Sequence, residues 1–137
     1  MVKSQNLQES MIKDIQAFHN KFGIPLQETP SFLNRSFMMY RIGFLQEEIE
    51  ELHIAFFDDD LEKAFDALID LVYVAIGTAH IMNLPFKEGW TRVHHANMQK
   101  VRAEGPSDPR SKRNSTYDIV KPDGWQPPRL KDLLDLK

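Results

Sequence analysis

The 137-residue chain has no cysteine. That excludes a disulfide framework and a zinc site built on thiolates, and it suits a reducing compartment. There is no run of 18 or more apolar residues, so no membrane span is expected. The opening MVKSQNLQES lacks the apolar centre of a secretory signal, and a cytoplasmic protein is expected. A net charge of −3 gives no global pull toward nucleic acid. No P-loop, no GxSxG elbow and no basic–aromatic ribbon is found. Strand signals are missing as well, and there is no internal repeat. The hydrophobic content of 42% is that of one ordinary globular domain.

Four helices account for the apolar pattern, so the expected class is all-α. Residues 4–22 carry Leu7, Met11, Ile15, Phe18 and Phe22 at helical spacing, and Gly23 stops the helix. GIPLQETPS is a loop. A second helix, capped by Ser31, runs to about Phe57 with Leu45, Ile49, Leu52 and Phe56 as its core stripe. Asp59 or Asp60 caps a third helix, which Asn83-Leu84-Pro85 ends near Met82. A fourth starts at Pro85 or Phe86 and runs to about Arg102. From Gly105 the chain is rich in Pro, Ser, Asp and Arg and reads as an extended tail, closed by a short helix over 128–136. Charge is uneven: residues 44–70 hold ten acids and one base, Lys63, whereas residues 100–131 hold eight bases and four acids.

EEIEEL, residues 47–52, packs four glutamates into five positions. With the apolar stripe of helix two as reference, Glu48 falls about 60° to one side and Glu51 about 120°, while Glu50 points nearly opposite. Glu48 and Glu51 therefore sit on the shoulder of the core, one turn apart. Helix three is apolar almost all round over 64–82, and its only acids there, Asp66 and Asp70, share one face. A helix apolar on every side is expected to be buried on every side. A lone ionised carboxylate in it costs several kcal/mol unless paired or metal-bound. Two readings follow. One is a buried salt bridge or cap-like hydrogen bond, with Lys63 or Arg41 as partner. The other is a carboxylate metal site shared by two helices of a bundle, whose hard oxygen ligands suit Mg²⁺ or Mn²⁺.

Five phrases occur in order: FHNKFGIP (18–25), LQEEIEEL (45–52), DALIDLVYVAIGTA (66–79), HHANMQK (94–100) and KPDGWQPP (121–128). In sequence and spacing the chain resembles the all-α nucleoside triphosphate pyrophosphohydrolases. These are the MazG-like enzymes and their phosphoribosyl-ATP pyrophosphohydrolase-like relatives, in particular a small subgroup common in phages. The likeness covers roughly residues 15–130. One departure stands out. The broader family carries EExxE and then ExxD, but Ala67 occupies the position three before Asp70, and Lys63 the position three before Asp66. The acid pair here is Asp66 and Asp70.

The resemblance implies a helical MazG-like core over 1–104 and a basic, Pro-rich tail over 105–137 in the same domain. Helices two and three would carry the metal site, and a homodimer or homotetramer would complete the bundle. It implies hydrolysis of a (d)NTP to the (d)NMP and pyrophosphate with Mg²⁺ or Mn²⁺, leaning toward dGTP or GTP. The metal would be held by Glu48, Glu51, Asp70, Glu47 and, less centrally, Asp66, with Glu47 taking the proton of the attacking water beside Glu48. Asn97 is assigned to sugar or metal-bound water. Lys100, Lys112, Arg113 and Lys121 are assigned to phosphates, and Tyr117 and His94 to the nucleotide pocket. Trp90, Trp125 and Phe37 are further stacking candidates. The setting would be the cytoplasm of a bacterium, phage-infected or not. Phosphoribosyl-ATP hydrolysis is a rival activity. A non-enzymatic helical interaction module is a rival of another class.

Overall fold

The computed structural model describes residues 7–134. Its contacts divide the chain into two compact units, Met1–Phe86 and Lys87–Lys137.

The first unit holds α1 (Leu7–Phe22), α2 (Arg35–Phe57) and α3 (Leu61–Ile81). Residues 4–6 of the expected first helix lie outside the described residues. Gly23, at φ 63°, ends α1 in the left-handed conformation that glycine adopts without strain. The cap of α2 is Asn34 rather than Ser31. The Asn34 side chain accepts from the Phe37 N–H at 2.9 Å, while the Ser31 hydroxyl donates to the Thr29 carbonyl within the preceding loop. Asp60 caps α3 by accepting from the Lys63 N–H, and Asp59 supplies the left-handed residue of the tight α2–α3 turn. Asn83, also left-handed, ends α3. The 24–34 loop is tied to that end through Gln27 N–H to the Ile81 carbonyl and Asn83 Nδ2 to the Glu28 carbonyl.

α2 and α3 form an antiparallel pair, with α1 packed on α3. Within the single chain the stripe assigned to the core of α2 packs only in part: Leu45 and Leu52 are half-buried, Ile49 and Phe56 are exposed, and the fully buried positions of α2 are Glu48 and Ala55. One chain alone also leaves part of α3 uncovered. Ala67, Val74, Gly77 and Ile81 are covered, but Phe65, Leu68, Ile69 and Val72 face outward. By length and composition α3 could cross a membrane, although Asp66 and Asp70 lie within it.

The second unit holds α4 (Phe86–Met98), a two-stranded antiparallel ladder and a 3-10 turn, Lys131–Leu134. The expected closing helix over 128–136 is thus one short turn as far as it is described. α4 stops four residues early because Val101 and Arg102 form β1, pairing with Val120 and Ile119 of β2. These two-residue strands are the only ones among the described residues. The tail is irregular but pinned. Asp118 accepts from Ser111 and Arg113, Asp108 from the Glu104 and Arg110 N–H groups, and the Trp125 indole N–H donates to the Ala96 carbonyl at 2.7 Å. Arg92 forms a two-pronged pair with Asp132.

Candidate metal centre

Packing α2 against α3 along Glu48, Ala55, Ala67 and Val74 leaves Asp70 opposite the glutamates. Glu48, Glu51 and Asp70 each bring a carboxylate oxygen within 4.8 Å of the other two. Glu48 is 6% exposed, Asp70 half-buried and Glu51 exposed, so the cluster is closed on one side and open on the other. The Glu48 Oε2 is buried with no hydrogen-bond partner. An orphaned buried carboxylate oxygen is rare in folded proteins because it forfeits its hydration.

The electrostatics agree. Burial pushes the Glu48 carboxyl up to about 7, helped by hydrogen bonding and charge from Glu51 and by the charges of Asp70 and Asp66. Burial also raises Asp70, followed by the charges of Asp66 and Glu51. The surrounding acids thus make Glu48 and Asp70 harder to ionise, and among the described residues no cation stands within salt-bridge distance of either. The salt-bridge reading loses its partners: Lys63 stands 4.0 Å from Asp60, and Arg41 is bonded elsewhere. A hard divalent cation fits this donor set, which offers three carboxylates, one of them with an unsatisfied inward oxygen. Asp66 stands beside Asp70 on α3, close enough to hydrogen-bond with it. Glu47 is exposed and outside the triad.

Two turns before Glu48 on α2, Arg41 reaches across to α3. Its Nε donates to Thr78 Oγ1 at 2.9 Å and its Nη2 to the Val74 carbonyl at 3.0 Å. Gly77 makes room for it, since a Cβ there would stand 3.0 Å from Arg41 Nη2. From α1, the buried His19 meets His80 with Nδ1 atoms 2.7 Å apart. Arg41 was expected only as a salt-bridge partner for a buried carboxylate, and His19 and His80 only as packing or surface. A glycine inside an otherwise apolar helix was the available signal.

The residues assigned to the nucleotide lie in the second unit. Asn97, Lys100, Arg113 and Tyr117 line one pocket of about 630 Å³, together with Met98, Arg102 and Ile119. Lys100 is not on α4 as expected; it follows the helix, with its N–H bonded to the Asn97 carbonyl. Lys121 stands over Trp125, while His94 and Lys112 are exposed. Arg102 over the Tyr117 ring and Lys100 over Trp125 are contacts the sequence reading did not anticipate.

The sequence model of the phosphoribosyl-ATP pyrophosphohydrolase family matches residues 15–97, which span α2 and α3 with the whole triad and more than half of the chain. The chain belongs to that family. Phosphoribosyl-ATP pyrophosphohydrolase-type proteins are all-α and MazG-like, and the four helices here agree with that architecture. Membership makes this chain a nucleotide pyrophosphohydrolase, a hydrolase of phosphoric anhydrides. It also accounts for the carboxylate cluster, because these enzymes depend on metal. No individual curated protein matches the chain.

Proposed function

We propose that the protein hydrolyses a nucleoside or deoxynucleoside triphosphate to the monophosphate and pyrophosphate, with Mg²⁺ or Mn²⁺ held by Glu48, Glu51 and Asp70. The observation that carries this reading is the buried Glu48 Oε2 without a partner, inside a triad whose other acids stand within ligand distance. When bound, the ion supplies charge neutralisation for the phosphates and an acidified water. Glu48 fixes the inner wall and Asp70 the opposite one, so a ligand enters from the open Glu51 side. Asp66 backs Asp70. Glu47, exposed and next to Glu48, is free to accept the proton of the attacking water. Asn97, Lys100, Arg113, Tyr117 and Lys121, with His94 and Lys112 at the periphery, are the nucleotide-binding set. The substrate pool would be cytoplasmic, in a bacterium or a phage-infected one. Among bases guanine is preferred, with dGTP or GTP as substrate.

The family match favours a second reading, in which phosphoribosyl-ATP is the substrate. One panel separates the two. Eight common NTPs and dNTPs and phosphoribosyl-ATP are offered with Mg²⁺ or Mn²⁺ and with EDTA, and products are separated by ion exchange. Metal-dependent release of one monophosphate with pyrophosphate from a triphosphate is the expected result. Turnover confined to phosphoribosyl-ATP would replace the first reading with the second. No turnover by the folded protein would leave a helical interaction module.

A further inference from the structure

Among the described residues of α1, only Ile15 and His19 are buried. Much of the remaining contact with α3 is an open groove of about 530 Å³, with Met11 and Ile15 on one side and Leu68, Val72 and Ile76 on the other. The helix is thinly anchored, and one of its two anchors is a titratable ring. The His19 Nδ1 lies 2.7 Å from the Nδ1 of His80 on α3, and the rings are stacked at 17°. Two Nδ1 atoms at that distance attract only when one holds a proton and the other presents its lone pair. The surroundings offer nothing to balance a further charge. From α2 comes the Arg41 guanidinium, whose Nη2 shares with His19 Nε2 the hollow over Gly77. From α3 comes the Thr78 hydroxyl, already engaged by Arg41 and by the Val74 carbonyl. The 24–34 loop brings the Ile24 N–H, which donates to the His19 carbonyl. On α1 itself, Asp14 faces Tyr73. Among the described residues no carboxylate stands within salt-bridge distance of either imidazole.

A first added proton can sit on an Nε2 and spare the bond, but it is then a buried positive charge beside a guanidinium with no acid to meet it. A second sets two N–H groups against each other. Both costs vanish when α1 lifts and His19 reaches water. Burial first, then the charges of His80 and Arg41, hold His19 at about 4 against 6.5, and burial lowers His80 as well. We propose that the His19–His80 contact is a proton-operated latch, which releases α1 from the α2–α3 hairpin when the pair is protonated and uncovers the α3 surface and the Arg41 seam beneath. The latch is fully closed above pH 6.5 and opens as the pH falls toward 4. Arg41 ties α2 to α3 two turns before Glu48, so release of α1 also bares the seam that aligns Glu48 with Asp70. The latch itself needs no metal and no substrate.

The test is hydrogen exchange of the full chain in EDTA at pH 7.5 and pH 5, with exchange times scaled to the intrinsic rates and read by mass spectrometry. Peptides from residues 7–22 are expected to lose roughly tenfold or more of their protection on acidification, and those from α2 and α3 less. His80→Asn keeps an amide near the Nδ1 position but does not titrate. It is expected to hold the loss in residues 7–22 to about twofold or less. If that variant does not fold, wild type alone decides. The ring nitrogen resonances of His19 and His80 should then titrate together, below pH 6.5 and in step with the loss of α1 protection. Three results each overturn the proposal: equal loss in His80→Asn and wild type, no loss in α1 beyond that of α2 and α3, or two rings titrating independently near 6.5.

Discussion

A carboxylate at position 48 makes the metal-free fold less stable than it would otherwise be. In the fold Glu48 keeps its proton up to about 7, against 4.5 when free, so its contribution is full below pH 4.5 and is lost as the pH rises through 7. Replacing it by Gln removes a buried charge and should raise the metal-free melting temperature at pH 8 by several degrees. The same change should abolish both turnover and the stabilisation that Mn²⁺ gives wild type. Melts with and without Mn²⁺ check this, and an unaltered Mn²⁺ effect in Glu48→Gln would remove Glu48 from the ligand set. His19 acts in the opposite sense. Burial first, then the charges of His80 and Arg41, lower it from 6.5 to about 4. Its contribution is full above pH 6.5 and is lost as the pH falls toward 4. The two groups offset each other between pH 4.5 and 6.5 in wild type. Glu48→Gln should therefore lose melting temperature on acidification more steeply than wild type does, and parallel curves in EDTA would show that the pair does not govern this window.

At the scale of helices, the triad exists only if α2 and α3 keep their register, and the Arg41 node is the next layer of the same seam. Gly77→Ala drives a methyl to 3.0 Å from Arg41 Nη2, while His19 stays at ordinary contact distance. It should cost roughly 1–3 kcal/mol of stability, an overpacking penalty, and weaken Mn²⁺ binding while leaving all three ligands in place. Arg41→Met removes two cross-helix hydrogen bonds and should cost about 2 kcal/mol. Urea melts give the stability change; an unchanged midpoint in both variants would show that the node is idle. The sequence made much of this seam legible, for local reasons. Capping chemistry at Asp60, the stop at Asn83 and the acids of α2 and α3 are set by a few neighbouring residues. The facing side of α2 was not legible. An apolar stripe only half covered within the chain carries the same periodicity as a core stripe, so Ile49 and Phe56 looked buried and Glu48 only adjacent. The ladder was missed because two-residue strands leave no alternation to read, and Lys100 lies between α4 and the ladder, its N–H bonded to the Asn97 carbonyl. Ser31 and Asn34 are both good caps in sequence. Only the turn geometry of the loop decides for Asn34.

For the molecule as a whole, the outward apolar surface of the first unit demands a cover. Phe56, Phe57, Leu61 and Phe65 are each more than 60% exposed, and Leu68 and Ile69 half exposed, along one helical hairpin. An exposed apolar patch of this extent marks an interface. A bilayer is a poor occupant although α3 is long enough to span one, because Asp66 and Asp70 would bring two carboxylates into hydrocarbon. A second copy is the better one, since its own hairpin offers the same apolar side chains and two-fold pairing is the commonest way to bury a self-complementary patch. We propose that the protein works as a homodimer or homotetramer built on this face. Light scattering after size exclusion should give two or four times the chain mass at micromolar concentration. Phe65→Glu, which puts a charge in the middle of the patch, should shift the mass to that of one chain. It should also lower the melting temperature and expose surface to a hydrophobic dye, because α3 then keeps only its α2 and α1 contacts. A monomeric wild type would reject the assembly. A protein that co-sediments with neutral lipid vesicles while remaining monomeric in solution would hand the face to the bilayer instead.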